Sequence, residues 1–124
     1  MITTFPNPPH YPDRDDLYVD LATPKTAEAL LDVADERVRQ VRKWGVQTRP
    51  DGTSETYSVH ADAAKLLTDQ RAEAGTLTWA DILSEEVLEA FAETDPDKLR
   101  EELIQVAAVA VSWAEDIDRK QAAQ

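Results

Sequence analysis

The chain contains no cysteine and only three glycines among its 124 residues. Without cysteine, neither a disulfide framework nor a thiolate metal site is possible. The glycines are too few and too scattered to form a phosphate-binding glycine loop, and no zinc motif or nucleophilic triad can be recognised. These absences leave carboxylates, amides, basic groups and aromatic rings as the side chains available for any chemistry.

Long apolar runs are also missing. The longest, Val106 to Trp113, is interrupted by Ser112 and is far shorter than the ~20 residues needed to cross a bilayer. The first residues, Met-Ile-Thr-Thr-Phe-Pro, have neither the basic nor the apolar region of a secretory signal. We therefore expect a cytoplasmic protein without a membrane span.

Basic residues are scarce relative to acidic ones. The sequence has 25 acidic and 13 basic side chains, giving a formal charge of −12. Contacts to nucleic-acid phosphates are made chiefly by Lys and Arg, so direct nucleic-acid binding is not expected. The excess of acid indicates either cation binding or solubility.

Proline placement divides the chain. Four prolines within residues 1–23 oppose helix formation and predict an extended or mobile N-terminal arm. Residues 24–120 predict one all-helical domain, followed by a short tail at 121–124. With 42% hydrophobic but only 6% aromatic residues, its core should be mostly aliphatic.

Four helices are predicted from caps and stop signals. Pro24 follows a threonine cap and begins a first helix that runs to about Trp44, while Ser58 caps a second helix that reaches about Ala74. Thr78 caps a third helix over 79–93, and Asp95-Pro96 begins a fourth that runs to about residue 120. The short connection between the last two predicts an antiparallel hairpin, and no strand pattern competes. The fold class is therefore all-α, a four-helix antiparallel bundle.

Acidic residues occupy unexpected positions on the last two helices. At 100° per residue, Glu86 falls within the apolar arc of the third helix, with Glu89 and Glu93 at its margin. On the fourth helix, Glu102 projects about 60° from the centre of the apolar face, and Gln105 lies further out on the same side. Both helices thus direct acid toward their shared interface.

A buried carboxylate must be ion-paired, protonated or coordinated to a cation. Arg37 on the first helix offers the ion pair. The spacing offers the metal, because Glu86 and Glu89 at i, i+3 project side by side, as do Glu102 and Gln105. Oxygen ligands of this kind suit Mg²⁺ or Mn²⁺. The opposing interpretation is that these glutamates lie on partly solvated helix edges, as most do.

The segment Glu85-Glu86-Val87-Leu88-Glu89, followed by Glu102-Leu103-Ile104-Gln105, resembles the EExxE and ExxD signature of the MazG-like all-α nucleotide pyrophosphohydrolases. The resemblance covers about residues 26–120. Lys43-Trp44-Gly45, the preceding segment 36–40 and Thr78-Trp79 are similar to features of a MazG-like subgroup.

This resemblance implies Mg²⁺-dependent hydrolysis of a nucleoside triphosphate to a monophosphate and pyrophosphate, with Mn²⁺ as a possible substitute. It implies that Glu86, Glu89 and Glu102 are metal ligands and that Glu85 is either a further ligand or the base that orients water. Gln105 stands where the pattern has Asp, so any ligation there brings an amide oxygen without charge.

Further residues are candidates for substrate binding. Tryptophans can stack on a base or anchor a core, Gln40 can read a base edge or be solvated, and basic residues in a last helical turn can bind phosphate or only complement the helix dipole. The substrate-binding candidates are Arg37, Gln40, Trp44, Trp79, Arg119 and Lys120.

A homodimer, or a dimer of dimers, is also expected. Four helices from a chain of this length leave a thin core, and members of the family usually complete theirs by dimerising. The aliphatic run Val106 to Val111 should contribute, since Ile104, Ala107 and Val111 lie outside the main apolar stripe.

Three hypotheses remain open from sequence. The first is a Mg²⁺-dependent pyrophosphohydrolase, which needs Glu86, Glu89 and Glu102 to converge. The second is a catalytically weak or inactive relative that only binds nucleotide or a partner, which Gln105 favours. The third is an acidic interaction protein that mimics nucleic acid, which needs its acid spread along one side.

Overall fold

The computed structural model describes residues 24–124, and these residues form helices without any strand. The all-α prediction and the count of four α-helices are confirmed for this range, whereas the predicted arm at 1–23 lies outside the described residues. The helices are α1 (Pro24–Trp44), α2 (Ser58–Ala74), α3 (Trp79–Ala92) and α4 (Pro96–Ala122), with a short 3₁₀ helix at Glu55–Tyr57 before α2.

Capping residues set most of these boundaries. The Thr78 hydroxyl accepts from the Asp81 backbone N–H while the Asp81 carboxylate accepts from the Thr78 backbone, a complete capping box at the start of α3. Asp95 caps α4 with Pro96 in its first turn. Gly75 ends α2 at φ 74°, a left-handed conformation that favours glycine.

Two details of the predicted boundaries differ from the structure. Ser58 was expected to cap α2 but lies inside the helix, because the chain already turns in the 3₁₀ helix, whose cap is Ser54. The Ser54 hydroxyl accepts from the backbone N–H of Thr56. At the other end of the chain, α4 continues to Ala122, so the predicted tail at 121–124 begins as helix.

Helix α3 packs against both α2 and α4, and α1 packs against α4. Thr68, near the end of α2, donates to the carbonyl of Asp81 at the start of α3 over 3.3 Å, so α2 and α3 run antiparallel. The Trp79 indole N–H donates to Asp116, late in α4, over 2.8 Å, so α3 and α4 are antiparallel as well. The hairpin predicted between the last two helices is confirmed.

The core of the single chain is thin. Among residues 24–124 the buried apolar residues are three alanines and one leucine, namely Ala29, Ala61, Ala90 and Leu99. No large side chain in this range is fully buried. Every residue of α1 from Leu30 to Trp44 is exposed, including its predicted apolar stripe. An exposed apolar surface of this kind is characteristic of a face that another surface covers.

None of the helices in the described range is both long and apolar enough to cross a membrane.

Asp81 should contribute strongly to stability, because its side chain is 9% exposed, completes the capping box and forms an ion pair with Arg71 of α2 at 3.1 Å. Replacing Asp81 by Ala should lower the urea midpoint below that of the wild type through loss of the capping box and the α2–α3 link. Asp97→Ala, on the exposed first turn of α4, is the control. Equal urea midpoints for the two variants would refute this role.

Candidate metal centre

Three glutamates meet between α3 and α4. Glu86 and Glu89 lie one turn apart on α3, and Glu102 lies on α4, where the antiparallel packing brings it alongside. One carboxylate oxygen from each lies within 4.8 Å of the others. All three side chains are partly buried, as the helical wheel predicted, so acid from two helices does converge at their interface.

Two of these carboxylates have an oxygen that is both buried and unpartnered. Oε2 of Glu86 and Oε2 of Glu102 are inaccessible to solvent and have no hydrogen-bond partner among residues 24–124. Burying an ionised oxygen in this way is unfavourable by several kcal/mol, and native proteins rarely leave such groups unsatisfied. The pair is therefore suited to a ligand that supplies positive charge.

Both α3 carboxylates hold protons more tightly than a free glutamate does. Burial raises the pKa of Glu86, and the neighbouring charges of Glu102 and Glu85 raise it further. Burial likewise raises the pKa of Glu89 to about 7, assisted by Glu86, Glu85 and Glu102 and opposed by Lys65. Carboxylates whose pKa is raised by burial and by neighbouring like charges are common at catalytic and cation-binding sites.

Arg37 does not supply the ion pair that the sequence offered for the buried acid. Arg37, the predicted partner, is exposed and donates to the Gln40 side-chain oxygen over 2.6 Å. Within residues 24–124, none of the ion pairs involves Glu86, Glu89 or Glu102. With no ion pair from this part of the chain, protonation or cation coordination would stabilise the cluster.

The donor set fits a hard divalent cation. Three carboxylates on two helices offer oxygen ligands of the kind that Mg²⁺ and Mn²⁺ prefer. Glu85 is partly buried, and its charge contributes to the raised pKa of both α3 partners, which places it beside the cluster. Gln105 lies one turn beyond Glu102 on α4 with an exposed side chain.

Five of the six residues predicted to bind substrate line two separate hollows. Arg37, Gln40 and Trp44 line the first, at the end of α1, together with Arg49 of the following loop. The Lys43 ammonium stacks over the Trp44 ring at 4.9 Å. The glutamate cluster lines neither hollow. The part of α1 that carries Arg37, Gln40 and Trp44 is exposed, so it does not pack over the glutamates in the single chain.

The second hollow lies where α3 begins beside the end of α4, and Trp79, Trp113 and Lys120 line it. Asp116 joins two of these residues, since it accepts from the Trp79 indole and pairs with the Lys120 ammonium at 2.8 Å. These bonds hold the pKa of Asp116 below its usual range. Arg119, adjacent in sequence, lies outside both hollows. Trp79 and Lys120 thus have structural partners within the chain.

Sequence reasoning overlooked three residues of this region. Asp81 could have been recognised from its position three residues after the Thr78 cap. Asp116 and Lys65 could not, because the hydrogen bond between Asp116 and Trp79 and the effect of Lys65 on the pKa of Glu89 follow from how α4 and α2 pack against α3.

Searches against protein families, curated proteins and solved structures found no match to this chain.

Proposed function

We propose that this protein is a Mg²⁺-dependent nucleoside triphosphate pyrophosphohydrolase of the MazG-like type, converting the triphosphate to a monophosphate and pyrophosphate. The observation that carries the proposal is the convergence of Glu86, Glu89 and Glu102 within 4.8 Å, with two buried oxygens left unpartnered. The spacing of these residues in sequence, EExxE followed by a further glutamate on the next helix, supports it independently.

Each carboxylate has a role in this proposal. Glu86, Glu89 and Glu102 would hold the cation, and Glu85, the first glutamate of the EExxE segment, would ligate it or accept a proton from the attacking water. A bound Mg²⁺ would polarise a phosphoryl oxygen and offset the charge that develops on the triphosphate. The helices α3 and α4 bring the three carboxylates within 4.8 Å of one another before any cation binds.

The hydrolysed bond is the anhydride between the α and β phosphates. A panel of nucleoside and deoxynucleoside triphosphates, incubated with Mg²⁺ or Mn²⁺, should release equal amounts of monophosphate and pyrophosphate. Chelation should stop the reaction. Release of inorganic phosphate instead of pyrophosphate would contradict the proposed chemistry, and no turnover with any nucleotide would favour the alternative below.

The alternative is a MazG-like relative that binds nucleotide or a partner with little or no turnover. Gln105 favours it, because the amide that replaces the aspartate of the signature brings no charge and its side chain is exposed. The Gln105→Asp variant distinguishes the enzyme from the relative that only binds. The substitution should strengthen metal binding in either case, and it should restore turnover only if loss of that charge had made the chain inactive.

We also propose that two copies of the chain associate through the exposed stripe of α1 and the aliphatic side of α4. In the single chain Leu31, Val38 and Val41 are 40–53% exposed, and Ile104 on α4 is 55% exposed. Burying apolar surface between two copies stabilises their association by ~25 cal/mol per Å² of apolar area removed from water.

Light scattering should give a mass that is twice, or four times, that of the 13.9 kDa chain. Val38→Glu, in the middle of the exposed stripe, should shift the mass to the monomer without unfolding the chain. Val59→Glu is a control of the same chemistry, since Val59 is 75% exposed on α2. A monomeric wild type would contradict this arrangement.

A further inference from the structure

A single lysine lies on the α2 face that packs against α3. Lys65 is four residues after the buried Ala61 and three residues before the buried Thr68, so all three lie on one side of α2. Ala61 and Thr68 pack inward, while the Lys65 side chain is 63% exposed. Lys65 therefore lies at the edge of the α2–α3 interface, and its side chain is largely in solvent.

The register of the two helices places Lys65 within about one turn of Glu86 along α3. Thr68 contacts the carbonyl of Asp81, and the helices are antiparallel, so one turn back on α2 corresponds to one turn forward on α3. Lys65 thus lies opposite residues 84–85. Helical side chains project toward the start of their own helix, which extends the reach of Lys65 toward Glu89.

The electrostatics are consistent with this position. Among the described side chains, Lys65 is the one cation that lowers the pKa of Glu89, against the effects of burial and three neighbouring glutamates. Its one ion pair is with Asp69, at 4.0 Å and with both side chains more than 60% exposed. Exposed pairs of this length contribute little to stability. The ammonium is therefore not held by the fold.

The proposed substrate has a specific need for such a group. Three or four carboxylates with one divalent cation leave the site negative, while a triphosphate brings about four further negative charges. A protein cation beside the metal is the usual solution at sites of phosphoryl chemistry.

We propose that Lys65 binds the triphosphate beside the cation held by Glu86, Glu89 and Glu102, an inference that rests on the proposed function. Lys65 is then a substrate-binding residue that the EExxE signature does not include. Its contact is made to phosphates that are charged before and during the reaction, so it contributes to binding more than to the chemical step.

Four proteins test this role: the wild type, Lys65→Met, Lys65→Arg and Asp69→Asn. Lys65→Met should raise KM for the best nucleotide by about 10-fold or more while kcat changes by less than about threefold, and Lys65→Arg should recover part of the loss. Asp69→Asn removes the one ion pair of Lys65 and should leave both constants within about twofold. A KM for Lys65→Met within twofold of the wild type overturns the proposal, as does an equal effect of Asp69→Asn.

The affinity for metal provides a second test, in which Lys65→Met should bind more tightly where it binds nucleotide more weakly. Because Lys65 repels a cation at the carboxylates, Lys65→Met should bind Mn²⁺ about 2- to 5-fold more tightly by calorimetry. A purely structural role for the lysine would leave that affinity unchanged or weaken it, which would contradict the proposal.

Failure of the proposed function is distinguishable from failure of this inference. If the wild type hydrolyses no nucleotide, the enzyme proposal fails, and the role of Lys65 is judged by binding of inorganic tripolyphosphate to the Mn²⁺-loaded protein. Weaker binding in Lys65→Met than in the wild type supports the contact, and equal binding overturns it. Absence of Mn²⁺ binding in the wild type overturns both proposals.

Discussion

Replacing Glu86 and Glu89 together by glutamine should lower kcat/KM for nucleotide hydrolysis by about 10³-fold or more, because the site loses two of its three carboxylates and with them the cation. Glutamine keeps the shape and the hydrogen-bonding capacity of glutamate, so the loss should arise from charge. The measurement is pyrophosphate release at saturating Mg²⁺.

The matched control is Glu101→Gln. Glu101 is adjacent to Glu102 on α4 but is exposed, and this substitution also removes one carboxylate without changing the side-chain shape. Its kcat/KM should stay within about threefold of the wild type. If the double variant retained activity within about tenfold of Glu101→Gln, the carboxylate cluster would not be the site of hydrolysis.

Metal-free protein should become less stable as the pH rises from about 5 to about 8. Burial and like charge raise the pKa of Glu89 from 4.5 to about 7 in the folded chain, so between these values the folded state binds more protons than the unfolded state. Stability then falls with rising pH, and the loss is complete above the folded pKa. The raised pKa of Glu86 acts in the same direction.

Glu89→Gln isolates this effect from the other carboxylates of an acidic chain. Without metal at pH 8, the variant should have a free energy of unfolding about 1–3 kcal/mol greater than the wild type, and the difference should vanish below pH 4.5. Mn²⁺ at 1,000 times its Kd should reverse the order at pH 8, since a ligand at that concentration stabilises by about 4.1 kcal/mol. Glu101→Gln should follow the wild type throughout.

Urea denaturation at several pH values, with chelator or with Mn²⁺, measures both effects. A wild type whose metal-free stability rose steadily from pH 5 to pH 8, in step with Glu89→Gln, would show that the carboxylates are not strained by their proximity. The same outcome would remove the physical reason for proposing a cation at this position.

Local signals explain why the helices could be predicted from sequence. The capping threonine and the Asp95-Pro96 pair act within a few residues, so the start of α3 and of α4 can be read directly. The inward direction of Glu86 and Glu102 was equally accessible, because it follows from helical periodicity alone. Ser58 misled the prediction of α2 because a 3₁₀ turn, capped by Ser54, precedes the helix.

Contacts between distant parts of the chain explain what sequence reasoning did not predict. Arg37 lies in the apolar arc of α1, yet that arc is exposed in the single chain, so the residue pairs with Gln40 instead of reaching a carboxylate. The effect of Lys65 on the pKa of Glu89 depends on the register of α2 against α3, which no local pattern encodes. Periodicity predicts the face on which a residue lies but not the surface that covers that face.

The central claim is that Glu86, Glu89 and Glu102 form one divalent-cation site, and crystals grown with Mn²⁺ test it most directly. Anomalous diffraction at the manganese edge should show a peak about 2.0–2.3 Å from a carboxylate oxygen of all three residues, and the Glu86→Gln, Glu89→Gln double variant should show none. A wild-type crystal with no peak at the cluster, or with manganese bound only elsewhere on the acidic surface, would contradict the claim.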